Sequence, residues 1–206
     1  MKQLFTTAFI TFLLTVSSLA MSELQQPQSQ QEQLHRTEQQ QQIYFKHLNY
    51  EYGNRGRTYI GMELAAKHSV GSEREEFFQA YYEMEIINQK ILNHMKGELG
   101  VDYQTNWFVG NGIRAMTYLG WRFVRAQGLI DIIIPYLPKL QEMESLANPE
   151  HKPFFAYIVA QEQAQLEASQ AARDNGWDSG GKVFRDFIPQ AEAELARLTA
   201  LANEDS

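Results

Sequence analysis

The sequence predicts an all-α protein, an up-and-down bundle of five or six helices joined by short loops. Apolar residues recur at the three- and four-residue spacing of a helix over most of residues 43–206. No stretch shows the sustained alternation of apolar and polar residues that a half-buried strand would need. With 206 residues, of which 44% are hydrophobic, the chain is long enough and apolar enough to bury the core of one domain.

The first twenty residues have the pattern of a signal peptide. Lys2 supplies a positive charge, residues 4–14 are largely apolar, and the run Ser18-Leu19-Ala20 has the small residues of a cleavage site. We therefore expect a periplasmic or secreted protein, the alternative being a cytoplasmic protein whose translation starts at Met21. The apolar part is shorter than the ~20 residues that span a bilayer, so no stable membrane span is expected in the mature chain.

Residues 21–42 are dominated by glutamine and predict a solvated spacer that leads into the bundle domain, residues 43–206. Such a composition buries too little apolar surface to offset the entropy of ordering. The net charge of −7 offers no basic surface for phosphates, which excludes nucleic acid as a partner. The absence of cysteine excludes disulfides and thiolate metal sites.

Two helices are predicted in the first half of the bundle. The first covers residues 43–67, and we expect a break or kink near Gly53 and Gly56 because glycine weakens a helix interior. Ser72 and Glu75 have the spacing of a capping box, which predicts the start of the second helix. Glycines at positions 97 and 100 predict its end.

The second half begins with the apolar segment 107–147. Pro135 removes a backbone donor and clashes with the preceding turn, so a bend or a helix boundary is expected there, giving one kinked helix or two stacked helices. Pro153 suits the first turn of the next helix. Residues 174–181 are rich in turn formers and predict a loop before a last helix, residues 182–202.

A short repeat marks the predicted second helix and the helix after Pro153. The pattern Phe-Phe-x6-Glu-x2-Asn/Gln begins at Phe77 and again 77 residues later. On a helical wheel, Glu85 and Asn88 in the first copy fall among apolar residues, as do Glu162 and Gln165 in the second. Each of these helices therefore carries a carboxylate and an amide on its buried face.

A buried carboxylate is costly unless a cation or a hydrogen-bond donor compensates it. An antiparallel turn near Gly71 places Arg57 level with Glu85, whereas Glu51 lies roughly 9 Å further along the helix axis at 1.5 Å per residue. We expect Arg57 or Arg55 to neutralise Glu85. For Glu162 we expect an arginine or a tyrosine hydroxyl, with Tyr157 and Tyr118 as candidates.

Two helical hairpins whose second helices each carry an inward glutamate, with a polar residue three positions on, resemble the ferritin-like superfamily. Members of that superfamily hold two iron or manganese ions with Glu-x-x-His on two helices and one carboxylate on each of the others. This chain has Asn88 and Gln165 where the family has histidine, and amides are poor ligands for iron. If metal binding were retained, the resemblance implies oxygen or peroxide chemistry at Glu63, Glu85, Glu142 and Glu162.

The sequence favours a protein without a cofactor that acts by binding or packing rather than by catalysis, because it carries no complete catalytic motif. Three interpretations of the paired carboxylates stay open: a structural polar layer, a small-ligand pocket and a divergent metal site. The aromatic segments 44–59 and 107–123 include arginines and are interpreted as core, or alternatively as the lining of a pocket for an anionic or flat ligand. The expected partner is a small ligand or another protein, and the candidate residues are Glu85, Asn88, Glu162, Gln165 and Arg57.

Overall fold

The computed structural model describes residues 38–101, 103 and 107–204, and the regular structure of these residues is entirely helical. The all-α prediction is therefore confirmed. The predicted signal peptide and residues 21–37 of the predicted spacer lie outside the described residues. In chain order the helices are α1 (Glu38–Ser69), α2 (Glu75–Glu98), α3 (Trp107–Gly120), α4 (Ala126–Ile133), α5 (Leu137–Leu146), α6 (Lys152–Asn175) and α7 (Trp177–Glu204), with a 3-10 turn at Trp121–Phe123 after α3.

The long helices form a bundle in which α7 packs against both α2 and α6, the two helices that carry the repeat. Helix α1 packs against α2 on one side and against α3 and α5 on the other, while α4 and α5 cover α6. None of the described helices is long and apolar enough to cross a membrane.

Helix α1 is continuous, so the break predicted at its glycines does not occur. The backbone of Gly53 lies close to other groups: a Cβ there would be 3.2 Å from Nη1 of Arg57 and 3.3 Å from the ring of Tyr103. The glycine therefore admits neighbouring side chains instead of ending the helix. The helix also begins at Glu38, inside the segment that was predicted to be spacer.

Pro135 lies in a three-residue turn that separates α4 from α5, which confirms the predicted boundary. The segment that was expected to form one kinked helix or two stacked helices forms three, α3 to α5. If α4 and α5 are counted as one bent element, the described chain has six helices, within the predicted five or six.

The loop predicted at residues 174–181 is wrong, because only Gly176, with φ of 94°, separates α6 from α7. Two of its glycines lie inside α7 at close helix contacts. A Cβ on Gly180 would be 2.5 Å from the carbonyl oxygen of Ala168, and one on Gly181 would be 2.6 Å from Cγ of Glu76. These glycines allow α7 to pack close to α6 and α2. In the sequence, glycines used for close packing look the same as the glycines of a turn.

The Phe-Phe pairs of the repeat lie in the centre of the core, each ring at most 1% exposed. Helix α7 supplies aromatic rings that stack on one tyrosine of each repeat helix. The ring of Tyr81 in α2 stacks on Phe184 with centroids 4.5 Å apart, and the ring of Tyr157 in α6 stacks on Phe187 at 6.0 Å. This packing fixes the height at which the polar residues of the repeat face each other.

Candidate functional site

The guanidinium of Arg55 lies at the centre of the bundle, where the residue is 1% exposed. Its Nε donates to Oε1 of Glu51 at 2.6 Å, its Nη1 donates to Oε1 of Glu85 at 3.2 Å, and its Nη2 donates to Oε2 of Glu162. Three carboxylates from α1, α2 and α6 thus share one cation. We call Arg55, Glu51, Glu85 and Glu162 the ion cluster.

The ion cluster shows that Arg55 is the one of the two expected arginines that pairs with Glu85. The register of α1 against α2 was close to the prediction, since Nε2 of Gln89 donates to the backbone oxygen of Arg55 at 3.3 Å. Arg55 and Arg57 are two residues apart and so point roughly 200° apart around the helix. Only Arg55 faces the carboxylates of α2 and α6.

Glu51 belongs to the ion cluster, although the sequence placed it further along the axis of α1 than the level of Glu85. Glu51 and Arg55 are four residues apart, which places both side chains on one face of α1. The planar guanidinium offers donors in several directions, so it binds a carboxylate of its own helix through Nε and still reaches two others. The hydroxyl of Tyr136 donates to the second oxygen, Oε2, of Glu51.

The two amides of the repeat are held by a crossed pair of tyrosines. In one direction, the hydroxyl of Tyr81 in α2 donates to Oε1 of Gln165 in α6 at 2.5 Å. In the other, the hydroxyl of Tyr157 in α6 donates to Oδ1 of Asn88, whose Nδ2 donates to Oε1 of Glu85 at 3.3 Å. The amides therefore tie the two repeat helices together.

The tyrosines expected at Glu162 lie elsewhere. Tyr157 donates to Asn88, because its position on α6 directs it towards α2. Tyr118 is 62% exposed on α3 and packs edge-on against the ring of His68. The partner of Glu162 is an arginine, the other expected alternative, and it is Arg55.

The ion cluster contains three carboxylates and one guanidinium, so two negative charges are uncompensated if every carboxylate is ionised. Burial raises the pKa of Glu85 to about 7, against the opposing effect of Arg55, and burial likewise raises the pKa of Glu162. A proton on Glu85 is therefore favoured up to near-neutral pH.

Some buried polar atoms near the ion cluster have no hydrogen-bond partner among the described residues. They are Oε2 of Glu85 and both amide atoms of Gln161.

The structure does not bring together the four glutamates that the resemblance implied as metal ligands. Glu142 lies 3.4 Å from the imidazole Nε2 of His47. Glu63 is eight residues from Arg55, about 12 Å along α1 at 1.5 Å per residue. Within the part of the chain that the structure describes, no group of three or more His, Asp or Glu side chains is placed to hold a metal.

A cavity of about 340 Å³ lies beside the ion cluster and is lined by residues of α1 to α6. Glu162 and Tyr136 form the wall between cavity and cluster. Most of the lining is apolar and comes from Met62, Ala65, Phe78, Ile113, Met116 and Trp121. The exposed residues Asp131, Pro135 and Lys139 lie at the solvent-facing rim.

Two buried residues with hydrogen-bond donors, Arg57 and Gln165, line this cavity. Arg57 is 4% exposed, and no ion pair joins it to a described residue; its guanidinium carbon lies 5.8 Å from the ring centroid of Tyr50. Nε2 of Gln165 is buried and donates to no atom of the described chain. Arg57 was a candidate for ligand binding or for the polar layer, and the structure places it in the lining of the cavity.

Sequence reasoning missed Glu51 and Tyr136. The i, i+4 spacing of Glu51 and Arg55 was a visible signal for an ion pair on one helix face. No comparable pattern predicts the position of Tyr136, since its neighbours depend on how the turn at Pro135 folds back onto α1. Segments 44–59 and 107–123, the lining of the alternative pocket, both contribute residues to the cavity, but its position depends on the relative placement of six helices.

Comparison of the chain with protein-family models, with curated proteins and with solved structures finds no match in any of the three.

Proposed function

We propose that this protein is a non-catalytic binding protein that holds one small, largely apolar organic molecule in the cavity beside the ion cluster. The observation that carries the proposal is a preformed cavity of about 340 Å³, apolar over most of its lining. Its lining includes Nε2 of Gln165, which donates to no described residue, and Arg57, which forms no ion pair with one. Ligand sites in proteins are typically roughly 300–1,000 Å³, mostly apolar, with a few placed polar groups.

In this proposal the ion cluster is structural. Arg55 joins α1, α2 and α6 through their carboxylates and so fixes three helices around the cavity. A rigid wall keeps the cavity open before the ligand arrives, which reduces the ordering cost of binding. Hydrogen-bonded polar groups inside a core also specify one arrangement of the helices, because an unpaired alternative is costly.

We further propose a ferritin-like layout for α1, α2, the α4–α5 element and α6, with α7 added outside the repeat helices. The support is the position of the repeat glutamates, which converge from α2 and α6 on a shared cation. In this layout the guanidinium of Arg55 lies between the glutamates, where the superfamily holds metal ions.

We also propose that the protein is exported through residues 1–20, because these residues have the sequence pattern of a signal peptide.

The rival function, an iron- or manganese-dependent carboxylate enzyme, has weaker support. The positive charge of Arg55 lies between the glutamates and would repel a metal ion placed there. A protein partner, the third class named from the sequence, has no specific contact among the described residues in its favour.

Binding in the cavity is tested with N-phenyl-1-naphthylamine, a neutral apolar dye whose fluorescence rises in an apolar site. Met116→Trp adds a large ring to the cavity lining, whereas Leu119→Trp adds it to an exposed position on the same helix, α3. We expect the wild type and Leu119→Trp to bind the dye alike and Met116→Trp to bind it at least about tenfold more weakly, since the ring takes the space of the ligand. Equal binding by all three folded proteins would refute the proposal.

A further inference from the structure

We infer that the ligand of the cavity is an organic acid, whose anionic group pairs with Arg57 and whose flat apolar body occupies the apolar lining. This inference rests on the proposed function and adds the chemical class of the ligand.

The first support is the burial of Arg57. A guanidinium stays charged at any pH that a protein tolerates, and a buried charge is normally paired because its desolvation is costly. Arg55, two residues earlier on α1, has three carboxylates, whereas Arg57 has no ion-pair partner among the described residues. An anion in the cavity would supply the missing partner, and carboxylate oxygens match the planar fork of the guanidinium.

The charge of the lining points the same way. Glu162 also lines the cavity, and it shares the guanidinium of Arg55 with Glu51 and Glu85 in the ion cluster. The remaining charged lining residues are the cations Arg57 and Lys139 and one carboxylate, Asp131, which is exposed at the rim and accepts a hydrogen bond from Nε2 of Gln127 at 2.7 Å. Outside the ion cluster, the described lining therefore carries two cations and one carboxylate, and its buried charge there is the cation Arg57.

The shape of the lining indicates a flat body. Rings of Tyr50, Phe78 and Trp121 line the cavity, and such rings pack well against another ring. Nε2 of Gln165, which donates to no described residue, provides a second donor for an oxygen of the ligand.

The size of the cavity limits the size of the ligand. A volume of about 340 Å³ suits a molecule with one or two rings. It lies near the lower limit, roughly 300 Å³, of known ligand pockets, so a two-chain lipid would not fit.

The test uses two dyes that differ in one charged group. 8-Anilino-1-naphthalenesulfonate is N-phenyl-1-naphthylamine with an added sulfonate. We expect the wild type to bind the sulfonate at least about tenfold more tightly than the neutral dye, because a desolvated ion pair adds affinity. Arg57→Met should remove that advantage and leave the affinity for the neutral dye within about threefold, since binding of the apolar body does not need the charge. Retained neutral-dye binding also shows that the variant is folded.

The matched control is Arg114→Met, which removes an exposed arginine of α3 that does not line the cavity. It should leave both affinities unchanged. Displacement of the sulfonate dye by 2-naphthoate, and much weaker displacement by 2-naphthamide or decanoate, would support the acid and the flat body. A wild type that binds both dyes equally, with no effect of Arg57→Met, would overturn this inference while the proposed function stands. A wild type that binds neither dye would overturn both.

Discussion

Replacing Arg55 by methionine should destabilise the fold far more than the same replacement at Arg57. Both arginines lie on α1 and both are buried, at 1% and 4% exposure, so the two variants lose similar side-chain volume. They differ in their partners, since Arg55 binds three buried carboxylates and Arg57 binds none among the described residues.

The expected difference follows from the charges left behind. Removing one partner of a buried ion pair costs roughly 3–5 kcal/mol, because the remaining charge is uncompensated, and Arg55→Met leaves three such carboxylates. Arg57→Met loses a contact between its guanidinium and the ring of Tyr50, worth about 0.5–1 kcal/mol. We expect Arg55→Met to cost at least about 3 kcal/mol at pH 7.5. Arg57→Met should cost at most about 1 kcal/mol, since it also removes the desolvation cost of a buried cation that has no ion-pair partner among the described residues.

Urea unfolding followed by far-ultraviolet circular dichroism measures both costs. The deficit of Arg55→Met should shrink at pH 5, since protonated glutamates need no cation. Adding Glu85→Gln and Glu162→Gln to Arg55→Met should restore part of the stability at pH 7.5, because neutral amides replace stranded carboxylates. The reasoning is refuted if Arg57→Met costs as much as Arg55→Met, or if the deficit of Arg55→Met is the same at both pH values.

Three further predictions concern single residues. Because the pKa of Glu85 in the fold is raised from 4.5 to about 7, wild-type stability should fall as the pH rises through that range. Glu85→Gln removes this titration, so the stability of the variant relative to the wild type should rise by about 3 kcal/mol between pH 4 and pH 8. Urea unfolding at each pH measures this difference. Parallel curves of stability against pH for the two proteins would contradict the raised pKa. Gly61→Ala should raise stability by about 0.5–1 kcal/mol, since its Cβ would meet only ordinary contacts at 3.6 and 3.9 Å inside a helix. Gly180→Ala should instead lower the thermal midpoint by several degrees, because its Cβ would lie 2.5 Å from a backbone oxygen, and an unchanged midpoint would show that α7 does not pack as described.

The features that the sequence predicted correctly are those that depend on local patterns. Helical periodicity predicted the class of the fold, and Pro135 predicted a helix boundary because its ring acts on the turn next to it. The spacing of the repeat placed Glu85 and Glu162 on buried helix faces, which the structure shows at 0% and 3% exposure.

The features that it did not predict depend on contacts between distant segments. Arg55 and Arg57 are both buried arginines of α1, so only the orientation of α1 against two other helices decides which one meets the glutamates. The glycines of α7 resemble turn residues in composition, and their actual role is apparent only beside the backbone of α6 and α2. Tertiary packing overrode local propensity at that position.

Native mass spectrometry of the protein purified from its own compartment tests the central claim most directly, since one spectrum reports both organic ligands and metal ions. The account predicts a mass increment of one small organic acid, released by collisional activation and absent from Met116→Trp, with no stoichiometric metal. One or two equivalents of iron or manganese in the wild type, lost on Glu85→Gln, together with no organic ligand, would contradict it.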